Sequence, residues 1–231
     1  MDITGSTALV TGANRGLGRA LTSALIDRGA KTIYAAARDP KAITDPRLTP
    51  IRLDVTDPAS VAAAAELAGD VTLVVNNAGI GSNGSLLTAP DLGAARAVLE
   101  TNFFGPVHVS RAFAPVLGRN GGGALVNVLS VLSWLALPVT ADYSAAKAAA
   151  WSFTNSARAE LRGQGTLVVG VHVGYLDTDM AAHVSGPKVA PEDLARQILD
   201  AVEAGAEELL GDELSRGVKA ALAGPVGAFE R

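Results

Sequence analysis

Three side chains in the second half of the chain could together carry acid–base chemistry. Tyr143 and Lys147 lie four positions apart in an Ala-rich stretch, so a helix would place them one turn apart on the same face. A free tyrosine ionises at about pH 10, too high for efficient acid–base work at neutral pH, but a neighbouring ammonium lowers that pKa. Ser130 lies thirteen residues before Tyr143, at the end of a predicted strand. Its hydroxyl could hold a substrate oxygen beside the tyrosine.

A glycine-rich turn near the N-terminus could hold a dinucleotide. Residues 11–18 read TGANRGLG, between a predicted strand and a predicted helix. Gly12, Gly16 and Gly18 would let the backbone turn sharply and approach a pyrophosphate, which the helix N-terminus would then stabilise. The segment lacks the Lys-Ser/Thr ending of a P-loop, which disfavours nucleotide hydrolysis. A purely structural turn is the alternative.

Two arginines indicate which dinucleotide would bind. A NAD site usually has Asp or Glu at the end of the second strand, where it accepts hydrogen bonds from the ribose hydroxyls. Here that strand ends in three alanines followed by Arg38. Arg38 and Arg15 would together suit a 2′-phosphate, so NADP(H) is the predicted cofactor and NAD(H) is the alternative. Asp39 could pair with Arg38, and both arginines could instead be solvated surface residues.

Short β-branched runs alternate with longer Ala- and Leu-rich stretches along the whole chain. Strands are predicted over residues 7–10, 32–37, 50–53, 71–75, 124–129, 166–173 and 208–210. Helices are predicted over residues 16–28, 90–117, 142–162 and 191–204, with another that begins at Pro58 and is capped by Asp57. This alternation predicts βαβ units, hence an α/β fold: one doubly wound domain over residues 1–231, with a mostly parallel sheet of seven strands and helices on both faces.

Composition excludes several classes of function. The 231 residues are 48% hydrophobic and carry a formal net charge of -4, so they offer no basic surface for nucleic acid or an anionic membrane. The sequence has no cysteine, which excludes a disulfide scaffold and a thiol nucleophile. His108, His172 and His183 have no metal-ligand spacing, so no metal is predicted. The N-terminal residues have no basic leader, and we expect a cytoplasmic protein without membrane partners.

Four motifs in order resemble those of the short-chain dehydrogenase/reductase family. They are TGANRGLG at 11–18, NNAG at 76–79, Ser130, and YSAAK at 143–147. The resemblance covers essentially the whole chain and points to the compact single-domain, carbonyl reductase-like branch. It implies a Rossmann-type fold and hydride transfer between a nicotinamide and an alcohol or carbonyl carbon. It further implies that Tyr143 donates and accepts the proton, that Ser130 polarises the carbonyl, and that Lys147 binds the nicotinamide ribose and lowers the tyrosine pKa.

The family's fourth catalytic residue is an asparagine, which ETNFFGP at 100–106 matches through Asn102. Pro106 has no N–H, so the carbonyl of Asn102 loses its helical partner and could hold a water of the family's proton relay. An ordinary proline kink is the alternative. Ser133 competes with Ser130 for the serine role, but it lies only ten residues before Tyr143.

The same resemblance implies a set of cofactor contacts. They come from the glycine-rich turn, the end of the second strand, a pair beside the adenine, the turn after the fourth strand, the catalytic helix and the loop after the sixth strand: Gly12, Asn14, Arg15, Gly16, Leu17, Gly18, Arg38, Asp54, Val55, Asn76, Ala78, Gly79, Tyr143, Lys147, Gly174 and Thr178. Asp54 could instead be a turn residue, and Thr178 a helix cap. Val173 stands where the family usually has proline, which leaves the path of the Thr178 loop open.

A short variable lid is expected over residues 179–190. Together with the segment before the catalytic tyrosine it would form a substrate pocket that includes Leu132, Trp134, Tyr175 and Met180. Lys188 is the single Lys or Arg in these segments, which favours a small, neutral, fairly apolar ketone or aldehyde. The alternatives are a NAD-dependent alcohol dehydrogenase of the same family and a non-catalytic NADP(H)-binding regulator, which has no need of the full tetrad. By the resemblance we also expect a homodimer or homotetramer.

Overall fold

The computed structural model describes residues 1–81 and 84–225. Seven parallel strands form one sheet in the order β3-β2-β1-β4-β5-β6-β7. The strands are β1 (Thr7–Thr11), β2 (Thr32–Ala37), β3 (Thr49–Arg52), β4 (Leu73–Asn76), β5 (Ala124–Val128), β6 (Leu167–His172) and β7 (Glu208–Leu210). The helices are α1 (Gly16–Asp27), α2 (Pro58–Leu67), α3 (Gly93–Leu99), α4 (Gly105–Arg119), α5 (Ala141–Leu161), α6 (Pro191–Glu203) and α7 (Glu213–Ala221).

Hydrophobic cores lie on both faces of the sheet, as the continuously apolar strands require. In β1, Ala8 and Val10 join the core that includes residues of α1 and α6, while Leu9 between them joins the core that includes residues of α2 and α4. Because successive strand residues point to opposite faces, both sides of each central strand are buried. The predicted α/β class with a parallel, doubly wound sheet is confirmed.

The strand order places a crevice at the carboxyl end of β1. The chain passes from β1 to β2 and β3 on one side, and β4 then pairs with the other side of β1. The connections on the two sides diverge at this point, which is where ligands bind in open α/β sheets. The turns after β1 and β4 therefore meet at the edge of one crevice.

Element boundaries agree with the sequence analysis to within about three residues, with two differences. The predicted helix over 90–117 is a run of α3, a π-helical turn Glu100–Phe104 and α4. In that turn the Gly105 N–H donates to the Glu100 carbonyl, which is the i→i+5 pattern that defines a π turn. The helix α7 was not predicted. Asp57 does cap α2, accepting from the Ala59 N–H at 2.9 Å.

No helix within residues 1–81 and 84–225 is long and apolar enough to cross a membrane. The single domain predicted over 1–231 stays a prediction, and residues 82–83 and 226–231 lie outside the described residues.

Candidate active site

The Ser130 hydroxyl lies beside the Tyr143 phenol and lowers its pKa by hydrogen bonding, and it also lies 3.5 Å from the Val173 carbonyl oxygen, to which it donates. Tyr143 lies in the first turn of α5 and is half-buried. Ser130 lies two residues after the end of β5, is 5% exposed, and accepts a hydrogen bond from the Leu132 N–H at 3.1 Å. The end of β5 thus brings the serine to the start of α5, as the spacing of thirteen residues predicts. The Ser133 hydroxyl, by contrast, is buried and has no hydrogen-bond partner within the described chain.

The phenol of Tyr143 is protonated at neutral pH. Burial raises the pKa of Tyr143 to about 12, and the hydrogen bond from Ser130 opposes part of that rise. Burial disfavours the charged phenolate, whereas a hydrogen bond to the phenolate favours it. The group is therefore a proton donor in this structure.

Lys147 is 6% exposed, and its ammonium donates to the Val128 carbonyl at 2.8 Å. Burial lowers the pKa of Lys147 to about 8. The ammonium lies 5.5 Å from the centroid of the Tyr143 ring. Burial and Ser130 are the causes of the Tyr143 pKa shift in this structure, and the lowering of that pKa by Lys147 stays a prediction.

Asn102 lies in the π turn and is 1% exposed. Its side chain bonds both main-chain groups of Ile80, accepting from the N–H at 3.1 Å and donating to the carbonyl at 2.9 Å. A Cβ on Gly79 would lie 2.8 Å from the Asn102 Oδ1. Asn102 therefore fixes the loop after β4 to the helical run, and its role in a proton relay stays a prediction.

The glycine-rich turn after β1 has the shape of a cradle. Gly12 and Gly16 have φ angles of +66° and +51°, which residues with a side chain rarely adopt. A Cβ on Gly18 would lie 2.1 Å from the Gly12 carbonyl oxygen. Three glycines therefore keep the turn tight at the N-terminus of α1, and this shape fits a dinucleotide pyrophosphate.

Two residues that the sequence analysis did not select hold this turn in place. The Thr11 hydroxyl accepts from the N–H groups of Asn77 and Ala78 at 2.9 and 3.0 Å. The Asn77 side chain donates to the carbonyls of Thr11 and Gly12 at 2.8 and 3.3 Å. Their positions could have indicated this in the sequence, because Thr11 ends β1 and Asn77 follows β4, and these two strands are neighbours in the sheet.

The side chain of Asn76, which was expected to contribute to the turn after the fourth strand, points into the core. Its amide donates to Asn127 Oδ1 at 2.8 Å and to Ser110 Oγ at 3.2 Å. Asn127 in turn donates to the Thr154 hydroxyl at 2.9 Å. Side chains alternate between faces along a strand, so the neighbouring Asn77, one position past the end of β4, is the asparagine that contacts the glycine-rich turn.

The other residues of the glycine-rich segment divide into exposed and buried positions. Asn14 and Arg15 are exposed, Ala78 across the crevice is half-buried, and Leu17 is buried in the core beneath the turn. The Arg15 guanidinium lies 3.8 Å from the Asp179 carboxylate, and both side chains are largely exposed. Arg15 is therefore exposed, as a residue that contacts a ligand must be, and it also forms an ion pair with Asp179, the first residue of the expected lid.

Arg38 at the end of β2 is exposed and lies close to Asp54 after β3. Partial burial would raise the pKa of Asp54, but hydrogen bonds from Thr56 and the charges of Arg38 and Arg52 outweigh it and lower that pKa. Asp54 is therefore a turn residue as well as a candidate adenine contact. Val55 is 7% exposed, and its carbonyl lies 3.1 Å from His108 Nδ1.

The loop after β6 reaches the glycine-rich turn. A Cβ on Gly16 would lie 3.2 Å from the methyl group of Thr178. The start of this loop is fixed although proline is missing, because the Gly174 N–H donates to Asp212 at 2.7 Å and the Val173 carbonyl accepts from the Val131 N–H at 2.9 Å. Thr178 accordingly reaches the cofactor side of the crevice.

The four predicted pocket residues differ in their surroundings. Leu132 is half-buried, and Tyr175 and Met180 are 39% and 47% exposed. The Trp134 ring stacks on His172 with centroids 3.8 Å apart and meets Trp151 edge-on at 6.0 Å. These contacts favour internal packing for Trp134 over the pocket wall that we expected. No cluster of three or more His, Cys, Asp or Glu residues suited to a metal occurs in the described part of the chain.

Comparison with known proteins agrees with this architecture. A family model described as short chain dehydrogenase matches residues 6–188. A short chain dehydrogenase from Burkholderia cenocepacia J2315, solved in complex with NADP, is 43% identical, with a TM-score of 0.95 over 100% of this chain and 98% of that one. The 3-oxoacyl-[acyl-carrier-protein] reductase FabG of Salmonella typhimurium is 34% identical over 214 residues, 89% of this chain and 85% of its own.

The chain belongs to the short-chain dehydrogenase/reductase family, and it is an oxidoreductase of that family. Some relatives are much longer: the match to the short chain dehydrogenase tazN of Aspergillus terreus, 33% identical, spans 45% of that protein.

Proposed function

We propose that the protein is an NADPH-dependent carbonyl reductase that acts on small, neutral, fairly apolar ketones or aldehydes. The observation that carries this proposal is that the phenol of Tyr143 keeps its proton and lies beside the Ser130 hydroxyl, at the edge of the crevice that the glycine-rich turn also borders. Reduction of a carbonyl needs a proton donor next to the carbonyl oxygen. A phenol that keeps its proton at neutral pH can supply it.

The cofactor would be held by the glycine-rich turn at the N-terminus of α1, with Arg15 and Arg38 beside the 2′-phosphate and Thr178 near the nicotinamide end. Arg38 and Arg15 are exposed, and no acidic residue precedes Arg38 at the end of β2. The similar protein from Burkholderia cenocepacia was solved with NADP, which supports the same preference here. When bound, the nicotinamide supplies the hydride to the carbonyl carbon.

The remaining steps belong to the side chains. Ser130 would donate a hydrogen bond to the carbonyl oxygen and Tyr143 would transfer its proton to that oxygen as negative charge develops. Lys147, held by the Val128 carbonyl, would bind the nicotinamide ribose and stabilise the phenolate left behind. Asn102 would hold the loop after β4 and a relay water through its main-chain carbonyl.

The charges around the lid support a neutral substrate. Lys188 is paired with Asp177 at 3.5 Å, and Arg15 with Asp179 at 3.8 Å. Both cations therefore have a carboxylate partner, which reduces their attraction for an anionic substrate.

The similarity to a 3-oxoacyl-[acyl-carrier-protein] reductase supports a second candidate substrate, a 3-oxoacyl thioester. We further propose a homodimer or homotetramer formed through α4 and α5.

The test combines cofactor binding with turnover. NADPH and NADH are titrated separately by fluorescence, and oxidation of NADPH is then followed with aliphatic and aromatic ketones, aldehydes and a short 3-oxoacyl thioester. We expect tighter binding of NADPH, turnover of apolar carbonyls, and loss of turnover in Tyr143→Phe with unchanged NADPH affinity. Arg38→Ala should weaken NADPH binding roughly 10-fold or more, the loss of one charge-assisted contact, and leave NADH binding unchanged.

Each contrary result removes a defined part of the proposal. Tighter binding of NADH would refute the roles of Arg15 and Arg38 and favour the NAD-dependent alcohol dehydrogenase. Preference for the thioester would replace the apolar substrate class. Tight NADPH binding without turnover of any carbonyl or alcohol would favour the non-catalytic regulator.

A further inference from the structure

A buried histidine contacts the main chain of the proposed catalytic serine. His172, the last residue of β6, is fully buried, and its Nδ1 lies 3.2 Å from the Ser130 carbonyl oxygen. A carbonyl oxygen only accepts hydrogen bonds, so Nδ1 carries the proton and donates. The side chain thus ties β6 to the residue whose hydroxyl lies beside Tyr143 and lowers its pKa.

The imidazole is itself held by the segment that follows the serine. Trp134 stacks on His172 at an interplanar angle of 17°, with ring centroids 3.8 Å apart. Trp134 comes directly after the 3₁₀ turn Val131–Ser133, and Ser130 comes directly before it. His172 therefore contacts both residues that flank this 3₁₀ turn: it bonds to the Ser130 carbonyl and stacks on the Trp134 ring. Trp151 of α5 and the ammonium of Lys219 in α7 contact the Trp134 ring in addition.

Packing alone does not account for a histidine at this position. Within residues 1–81 and 84–225 its Nε2 has no hydrogen-bond partner, and the Glu208 carboxylate lies 3.9 Å away. Burial lowers the pKa of His172 to about 4, with smaller opposing effects of the Ser130 carbonyl and Glu208 and further lowering by Lys219 and Lys147. The ring is neutral at pH 7, and Nε2 is a buried, unpaired acceptor, which is unfavourable. An apolar residue would fill the space without this disadvantage, so the Nδ1 contact distinguishes histidine.

We propose that His172 is a positioning residue for Ser130: its Nδ1–H holds the Ser130 carbonyl, Trp134 holds the ring, and together they orient the serine hydroxyl towards Tyr143. The geometric part stands on the contacts above, and the catalytic consequence rests on the proposed function.

Two variants separate the effect of the hydrogen bond from the effect of packing. His172→Phe keeps a flat ring for Trp134 and removes the donor. His172→Asn keeps an N–H donor near the position of Nδ1 and removes the ring.

The first measurement needs no turnover. The Leu132 N–H donates to the Ser130 hydroxyl oxygen at 3.1 Å, so its hydrogen exchange reports the position of that hydroxyl. In His172→Phe we expect the Leu132 amide to exchange roughly tenfold faster, the equivalent of one lost hydrogen bond. In His172→Asn the exchange should stay close to that of the natural protein. NMR on labelled protein resolves this single amide.

The second measurement is steady-state reduction of the best carbonyl substrate. His172→Phe should lower kcat roughly tenfold, by the same reasoning, while KM and the Kd for NADPH stay unchanged, and His172→Asn should restore most of kcat. Ile198→Ala is the matched control, because Ile198 is also fully buried but lies in α6, in the core on the face of α1. It should lower Tm and leave kcat and the Leu132 exchange unchanged.

An unchanged rate of Leu132 amide exchange in His172→Phe would overturn the proposal. An exchange rate raised equally in His172→Phe and His172→Asn would also overturn it, because His172 would then act through packing. If the natural protein reduces no carbonyl but the exchange rates change as expected, the proposed function fails and the positioning role stands. If it reduces carbonyls and neither variant changes the exchange, the function stands and the positioning role fails.

Discussion

A single methyl group on Gly18 should damage the cofactor site more than the fold. The Cβ of an alanine at this position would lie 2.1 Å from the Gly12 carbonyl oxygen and 2.7 Å from Asn77 Nδ2, and real Cβ contacts are almost never shorter than 3.0 Å. The first helical turn and the glycine-rich turn would therefore have to separate by about 1 Å. Asn77, which is bonded to the Thr11 and Gly12 carbonyls, resists that movement.

The expected magnitude follows from two opposing effects. Overpacking of this kind reduces stability by about 1–3 kcal/mol, and replacing a helical glycine by alanine returns up to about 1 kcal/mol. The net loss of unfolding free energy in Gly18→Ala should then be about 0–3 kcal/mol. Main-chain hydrogen bonds to a charged phosphate contribute about 1.5–3 kcal/mol each. Misplacing one of them should weaken NADPH binding roughly 10- to 100-fold.

The assay is a fluorescence titration of NADPH together with urea unfolding. Gly217→Ala is the matched control, since Gly217 is also helical, lies in α7, and has no described heavy atom within 4 Å of an added Cβ. It should raise stability by up to about 1 kcal/mol and leave NADPH affinity unchanged. If Gly18→Ala binds NADPH as tightly as the natural protein, then the turn does not contact the cofactor in the way we argue.

Three further changes test separate contacts. Asn77→Ala removes the bonds to the glycine-rich turn, including that to Gly12; it should weaken NADPH binding and lower the urea midpoint, and an unchanged affinity would contradict this. Asp212→Ala removes the cap that accepts from the Ser215 N–H and also the acceptor of the Gly174 N–H. It should reduce the unfolding free energy by at least the cost of a lost cap, about 0.5–2 kcal/mol, with a loss below that range counting against it. The pKa of Lys147 is about 8 in the folded protein and about 10.4 in the unfolded chain. Between pH 8 and 10 the unfolded state therefore binds more protons than the folded state. The free energy of unfolding should then rise with pH, by at most about 1.4 kcal/mol per pH unit. Lys147→Met should remove this rise, and a slope that persists in that variant would assign it to another group.

The fold could be read from the sequence because its signals are local and mutually consistent. Apolar β-branched runs, an Asp-Pro cap and glycines at the turns each limit the backbone within a few residues, and their alternation leaves a parallel sheet as the consistent arrangement. The exceptions have physical reasons as well. The π turn around Asn102 differs from an α-helix by one hydrogen-bond step, and α7 is a short helix of nine residues with a polar composition.

The site was predictable where a residue's role follows from its type and spacing. Tyr143 and Lys147 lie on one helix, and Ser130 lies two residues after the preceding strand, so their approach to one crevice follows from the strand order. Asn76 and Asn77 could not be told apart in the same way. Which of two adjacent asparagines faces the turn depends on where β4 ends, and boundaries are the least certain part of a sequence-based prediction.

The sequence by itself therefore determined the parallel sheet, the glycine-rich turn and the order of the candidate catalytic residues along the chain. Only the tertiary structure decided that Asn77 and Thr11 hold that turn, that Trp134 packs inwards, and that His172 meets the Ser130 carbonyl. These contacts join residues from different elements, and their geometry depends on strand register, helix packing and side-chain rotamers. None of these is encoded in the type or spacing of the residues alone, because each is fixed by packing across the whole sheet.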